Sequence, residues 1–401
     1  MKKDYLSNPG TLKIDLMLRG VRLEALDIEP LAGRAGVGVD IILPGGTPVN
    51  VPCDEEFVKD SPYILRKKGD AYAITDLKKE VAVRIVPIPS FYGRKTKTGV
   101  LFSDIAKVHG SYAVITPLPY CDFFKNNIEC RYCAGNFSGA GKKEKAYSVD
   151  EVLETVDAIL KEGGLNIIYL SIGFSEGEDG GILFLAPYMR EIKKHFNCLI
   201  AVEALPPKKN HWIDDTYALG ADSVLYNLEI FDQELFEAIC PGRAKSIGRG
   251  RYIIALKYAA GVFPNGTVAS HLIVGLEPPG STCMGIDFLT GIGVVPILPI
   301  YRPKKGGALR IEPLTGEVII PIYKHLYRAV KKNNINMNWV RDISSITTPI
   351  EGGLLTGEGQ GGINLIFDQF YKSRLGLKTA WGLSTLRRKL RVKSPKEPED
   401  L

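Results

Sequence analysis

Between residues 111 and 303 six apolar, β-branched runs recur, separated by stretches with helical spacing, and this alternation constrains the fold more than any other feature of the chain. The runs are SYAVITPLPY (111–120), LNIIYLSIGF (165–174), CLIAVEALPP (198–207), DSVLYNLEIF (222–231), VASHLIVGLE (268–277) and VVPILPIYRP (294–303). Between them stand SVDEVLETVDAILKEG (148–163), LFLAPYMREIKKHF (183–196), IDDTYALG (213–220), GRYIIALKYAAGVF (250–263) and STCMGIDFLTGIG (281–293). Strands that are apolar throughout must be covered on both faces, the condition of a parallel sheet crossed over by helices. Six such units of roughly 30 residues predict an α/β fold, a (β/α)6 partial TIM barrel, in place of the full eight-stranded form. Ser148, followed three residues later by Glu151, reads as a capping box that starts the first helix. Chemistry in such folds sits where strands end and loops begin.

The flanks read differently. Residues 1–108 form a β-rich N-terminal region with strand-like LMLRGVRLEA (16–25), VGVDIILPGG (37–46), YILRKKGDAYAITD (63–76) and EVAVRIVPIP (80–89), and Lys68-Gly69-Asp70 as a hairpin turn. The barrel occupies 109–313. The C-terminal extension, 314–401, holds a helix at IYKHLYRAVKKNN (322–334), a less regular NMNWVRDISSI (336–346) and a flexible loop at EGGLLTGEGQGG (351–362), which has six glycines. It ends in a basic amphipathic helix with Leu383, Leu386 and Leu390 on one face and Arg387, Arg388, Lys389 and Arg391 around the other.

Charge follows the same division. Lys and Arg number 51 against 45 Asp and Glu, but residues 372–396 carry nine basic residues and no acid, leaving 42 against 45 elsewhere. A near-neutral body has no basic face for nucleic acid, whereas the tail suits a membrane surface or an acidic protein partner. No apolar run reaches the roughly 18 residues of a bilayer crossing, and MKKDYLSNPGTLKIDL lacks the apolar core of a leader. Seven cysteines, an odd number in a long chain, do not frame disulfides, so the expectation is a cytoplasmic protein with reduced thiols.

Three of those thiols cluster. Cys121 ends the first barrel strand, and Cys130 and Cys133 lie in the loop after it. Zinc would want a fourth ligand, and neither a second CxxC nor a nearby His offers one. A four-iron cluster on three thiolates leaves one iron open to bind and reduce a ligand. Cys198 opens a strand at the end away from this loop, and Cys53, Cys240 and Cys283 stand alone; Cys198, Cys240 and Cys283 read as small buried apolar residues.

Three cysteines after the first strand of such a barrel, the last two as Cys130-Arg131-Tyr132-Cys133, resemble the radical S-adenosylmethionine superfamily, in which the open iron chelates the methionine end of the cofactor. The familiar spacing is CxxxCxxC; here eight residues (DFFKNNIE) separate Cys121 from Cys130. The resemblance runs over about 111–310 and is nearest the biotin-synthase-like branch. It implies a [4Fe-4S] cluster on Cys121, Cys130 and Cys133, with Tyr132 beside the S-adenosylmethionine. By match, Asn227 and Glu229 of YNLE hold its ribose, Arg249 or Arg251 its carboxylate, and Ile273 and Gly275 of HLIVGLE its adenine. The Gly-Gly-Glu element expected after the second strand is replaced by LSIGFSEGED, which leaves the backbone from Ser171 to Gly173 for the amino group. Glu203, Glu277 and Arg302, at strand ends, are candidates for substrate contact, Arg302 by two hydrogen bonds to a carboxylate or phosphate.

The implied activity is reductive cleavage of the cofactor to a 5′-deoxyadenosyl radical that takes hydrogen from a small-molecule substrate, with an electron donor such as ferredoxin or flavodoxin. Methyl or other group transfer through the same radical is the second enzyme reading. The non-enzyme alternative is a zinc-stabilised barrel scaffold whose basic tail recruits partners or a membrane surface.

Overall fold

The computed structural model describes residues 5–24, 38–133, 145–163, 167–302, 309, 311–357 and 374–390. Its first sheet has six strands, β1 (Arg22–Leu23), β2 (Val39–Leu43), β3 (Thr47–Val51), β4 (Ile64–Lys68), β5 (Ala71–Thr75) and β6 (Glu80–Ile85), in the order β1-β4-β5-β6-β2-β3. Lys68 pairs with Ala71, so Gly69-Asp70 is a two-residue hairpin turn and Gly69 takes the φ of +62° that such a turn demands. The segment LMLRGVRLEA, expected to be strand-like, is different: its first four residues close a helix, Pro9–Arg19, and only Arg22–Leu23 pairs as a strand. Asn8 caps this helix by accepting from Gly10 N at 2.8 Å and Thr11 N at 3.2 Å, with Pro9 at its first position. Residues 12–17 are all buried, so the apolar periodicity that marks a surface helix is missing from the sequence.

Among those residues is Lys13. Its ammonium bonds both carboxylate oxygens of Glu351 at 2.9 Å and Ile343 O at 2.9 Å, fully out of water. The pair ties the first helix to the C-terminal extension and corrects a second expectation. The first half of EGGLLTGEGQGG is a helix, Pro349–Thr356, started by a capping box between Thr348 and Glu351; its residues from 358 on lie outside the described ones.

The second sheet carries the six predicted runs as parallel strands in sequence order: β8 (Tyr112–Ile115), β9 (Ile167–Ser171), β10 (Leu199–Ala204), β11 (Ser223–Tyr226), β12 (Val268–His271) and β13 (Val295–Ile297). A further strand, β7 (Ala106–His109), pairs antiparallel with β8 at the edge. The five predicted crossover helices are present at Val149–Glu162, Ile182–His195, His211–Ala218, Arg249–Val262 and Pro279–Gly291. The Ser148/Glu151 box is formed in both directions. Two short helices, Gln233–Ile239 and Pro241–Ser246, stand after β11 and were not anticipated. Every residue of β11 is buried, as expected of a strand covered on both faces.

The tail helix, Arg374–Leu390, is turned opposite to the face its leucines suggest. Arg388 points inward, bonding Asp222 Oδ1 at 2.7 Å and Tyr217 O at 2.9 Å, and Ser384 bonds the same aspartate. Leu383 and Leu386 face outward, 56% and 52% exposed. No helix among the described residues is long and apolar enough to cross a membrane.

Candidate active site

The carboxyl ends of β8 to β11 enclose a cavity of about 190 Å³. Cys121, Cys130, Tyr132 and Cys133 line it from one side, and Ser171, Gly173, Glu203, Asn227, Glu229 and Arg243 from the strand ends. Nine of the residues singled out in the sequence therefore meet in one place.

Two constraints fix Cys121. Its sulfur accepts from Phe174 N at 3.4 Å, and the next amide, Asp122 N, donates to Phe174 O at 2.9 Å. This closeness needs Gly173, where an added Cβ would come within 2.6 Å of Tyr120 O and 2.8 Å of Cys121 Cβ. Phe123 and Phe174 stack beside it with ring centroids 4.1 Å apart. Burial pushes the Cys121 thiol up, against the backbone amides of Phe123 and Phe174. The neighbouring Cys240 thiol and the charge of Arg243 bring the Cys130 thiol down to about 6, against burial.

The strand ends carry a connected polar set. Ser171 Oγ donates to Glu203 Oε2 at 2.7 Å, Asn227 Nδ2 donates to the other Glu203 oxygen, and Asn227 Oδ1 accepts from His271 N at 3.1 Å. Glu229 has φ +70°, a left-handed conformation that a glutamate adopts at a cost of order 1–2 kcal/mol. It is pinned there because its N–H donates to His271 O at 2.7 Å and its carbonyl accepts from Ile273 N at 2.8 Å.

Arg243, which the sequence reading passed over, binds the Asn227 carbonyl and sits 3.2 Å from Glu229 Oε1. Burial works against its charge, and Tyr132, Tyr252, Cys130 and Glu229 outweigh that and raise its pKa. The signal is in ICPGRAKSIGRGR (239–251), where Arg243 is the arginine nearest the polar end of the fourth strand.

The remaining predicted residues are not brought to the cavity. Arg249 lies over the Phe231 ring, 4.6 Å from its centroid, and bonds Phe231 O at 2.8 Å. Arg251 bonds Pro207 O at 2.6 Å and Asn210 Oδ1 at 2.8 Å. Glu277 is used as a cap, accepting from Phe231 N at 3.0 Å and Asp232 N at 2.9 Å. Arg302 is partly buried, which lowers its pKa, and the charge of Glu55 acts against that shift. Ile273 is buried beyond β12, and Gly275, at φ +103°, turns the chain next to Tyr301.

Among the described residues no group of three His, Cys, Asp or Glu is arranged tightly enough to hold a metal ion. The donor set nevertheless fits a cluster with a polar ligand. Three thiols share one wall, and two lining residues, Glu129 and Tyr132, have a buried oxygen without a hydrogen-bond partner. A larger cavity of about 640 Å³ opens alongside, shares Gly173, Phe174 and Leu205 with the first, and has Lys208 and Lys245 on its wall.

Radical S-adenosylmethionine enzymes are what this chain is similar to, as its cysteine motif already indicated. In particular, a bacteriochlorophyllide c C-7(1)-hydroxylase of Chlorobaculum limnaeum is 25% identical over 237 residues, 54% of this chain and 57% of that protein. The chain thus spans little more than half the length of that relative. Solved structures similar to it include a methylornithine synthase, at 15% identity and TM-score 0.45 over 55% of this chain and 63% of that one. Another is a radical SAM methyltransferase from Sphaerobacter thermophilus, at 13% identity and TM-score 0.42 over 68% and 75%. No family model matches the chain.

Proposed function

We propose that the protein is a radical S-adenosylmethionine enzyme that removes hydrogen from an unactivated C–H bond of a small molecule. The observation that carries this reading is the convergence of Cys121, Cys130 and Cys133 on one small cavity opposite a connected set of strand-end polar groups. When bound, a [4Fe-4S] cluster and S-adenosylmethionine would supply a 5′-deoxyadenosyl radical from one electron, delivered by a donor such as ferredoxin or flavodoxin.

The chain's own residues bind, orient and exclude water. The three cysteines hold the cluster, and the backbone from Ser171 to Gly173 meets the amino group of the cofactor. Asn227 and Glu229 face the ribose, held by Glu203 and Arg243 respectively. The Phe123/Phe174 stack shields one flank of the cavity from solvent. The larger adjoining cavity receives the substrate, and Lys208 and Lys245, against the single carboxylate of Glu176 on the same wall, favour one with an acidic group. The hydroxylase named above acts at a carbon position of its substrate, which fits C–H functionalisation as the reaction class. The tail helix, with outward Leu383 and Leu386 in a segment free of acids, docks on an anionic membrane surface.

Anaerobic reconstitution tests the central claim. About four irons and four sulfides per chain, with 5′-deoxyadenosine formed from S-adenosylmethionine and a strong reductant and lost in Cys130→Ala, are expected. A single tightly held zinc and no cleavage would overturn the proposal and favour the scaffold.

A further inference from the structure

Three carboxylates and one guanidinium line the small cavity beside the cysteine loop. Glu229 is paired with Arg243 at 3.2 Å, and Glu203 accepts hydrogen bonds from Ser171 and Asn227. Glu129 differs from both. Its Oε2 is closed off from solvent and has no hydrogen-bond partner among the described residues, a costly state for a carboxylate. The backbone on either side is pinned. Ile128 O, just before Glu129, accepts from Gly242 N at 2.9 Å, and Arg131 N, two residues after it, donates to Ile239 O at 2.9 Å. A Cβ on Gly242 would lie 2.5 Å from Ile128 O and 2.6 Å from the Phe123 ring, so the two segments touch without slack. Glu129 is thus held on the cysteine side of the cavity, whose other side carries Glu203, Asn227 and Glu229 at the strand ends.

We infer that Glu129 binds the amino group of S-adenosylmethionine, its buried carboxylate oxygen accepting an N–H. The inference deepens the proposed function and rests on it. The chemistry of the cofactor leaves one group that fits this oxygen. Its carboxylate is repelled, its sulfonium has no hydrogen to donate, and its ribose hydroxyls are neutral and face Asn227 and Glu229. The amine on adenine is a neutral donor as well. Only the aliphatic amino group joins N–H donors to positive charge, and such charge-assisted hydrogen bonds are roughly twice as strong as neutral ones. The backbone from Ser171 to Gly173 offers that group neutral carbonyls, and Glu129 adds the charge. A carboxylate on a pinned segment fixes the orientation of the amino-acid end of the cofactor, which is the protein's share of such chemistry.

Two measurements test this. The reconstituted protein, without reductant, is titrated calorimetrically with S-adenosylhomocysteine, which keeps the amino group but lacks the sulfonium charge. A second titration uses the analogue of that compound without the amino group. Glu129→Gln, of nearly the same shape, is expected to bind S-adenosylhomocysteine roughly tenfold more weakly and the analogue as the parent does. Equal affinity of parent and variant for S-adenosylhomocysteine would overturn the inference. So would an equal loss for both ligands, which would make Glu129 a support of the cavity wall.

In the cluster-free protein, Glu129→Gln is expected to have a urea midpoint at or above the parent's, because no partner within the chain is lost. A lower midpoint would show that the carboxylate is already committed to a group of the protein, and would overturn the inference whether or not a cluster forms. A parent protein that takes up no cluster would overturn the proposed function, and the assignment of Glu129 to its cofactor with it.

Discussion

Replacing Arg243 by methionine isolates the electrostatic part of the site. Methionine keeps an unbranched apolar stem in the same space, so the packing against the cysteine loop is largely preserved. What is lost is the cation 3.2 Å from Glu229 Oε1 and the donor to the Asn227 carbonyl. The Glu229 side chain is only 7% exposed and its backbone is already held at φ +70° by hydrogen bonds to His271 and Ile273, so it cannot swing out to water. A buried carboxylate stripped of its partner costs about 3–5 kcal/mol, whereas removing both charges of such a pair is close to neutral. Arg243→Met is therefore expected to lose roughly 3–5 kcal/mol, and Arg243→Met/Glu229→Gln to recover to within about 1–2 kcal/mol of the parent, the Asn227 carbonyl remaining unpaired. Urea denaturation of the cluster-free protein, followed by tryptophan fluorescence, to which Trp212 on the barrel helix His211–Ala218 contributes, measures both. A loss below about 1 kcal/mol in the single variant, or additive losses in the double, would refute the claim that Arg243 exists at this site to hold Glu229.

The same logic applies to Lys13 and Glu351. Lys13→Met should cost about 3–5 kcal/mol in urea and Lys13→Met/Glu351→Leu far less; equal losses would show that the pair does not carry the junction of the first helix with the C-terminal extension. Gly242 N donates to Ile128 O at 2.9 Å, and Gly242→Ala places a Cβ 2.5 Å from that backbone oxygen, so a lower urea midpoint corresponding to about 1–3 kcal/mol is expected; a midpoint equal to the parent's would show that the two segments part without cost. Truncation after residue 373 should leave a folded barrel, because Asp222 keeps Lys193 Nζ at 2.6 Å and Ile200 N at 2.8 Å, and aggregation of the truncated protein would count against that. The full chain should float with anionic but not neutral vesicles and lose this with Leu383→Glu/Leu386→Glu; indifference to lipid charge or to the substitutions would remove the membrane reading.

Why some of this was legible in the sequence and some was not has a common physical origin. A parallel strand covered on both faces must be apolar throughout, so each barrel strand announces itself as a run; of the cavity residues near the ends of those runs, Glu203 follows from its strand-end position, and Ser171, Asn227 and Glu229 follow from the family resemblance. The helix Pro9–Arg19 was missed for the opposite reason. It is buried around its whole circumference, Lys13 included, and so has no apolar stripe to reveal its period. Spacing also shows which side chains share a helix face but not which way that face turns. In the tail, Arg388 and Ser384 bond a buried aspartate, and Leu383 and Leu386 face outward. The choice among Arg243, Arg249 and Arg251 had the same limit. All three lie within nine residues of one another, and what separates them is the direction set by the two short helices after β11, which bring Arg243 back over the strand ends and point Arg249 at Phe231 and Arg251 at Pro207.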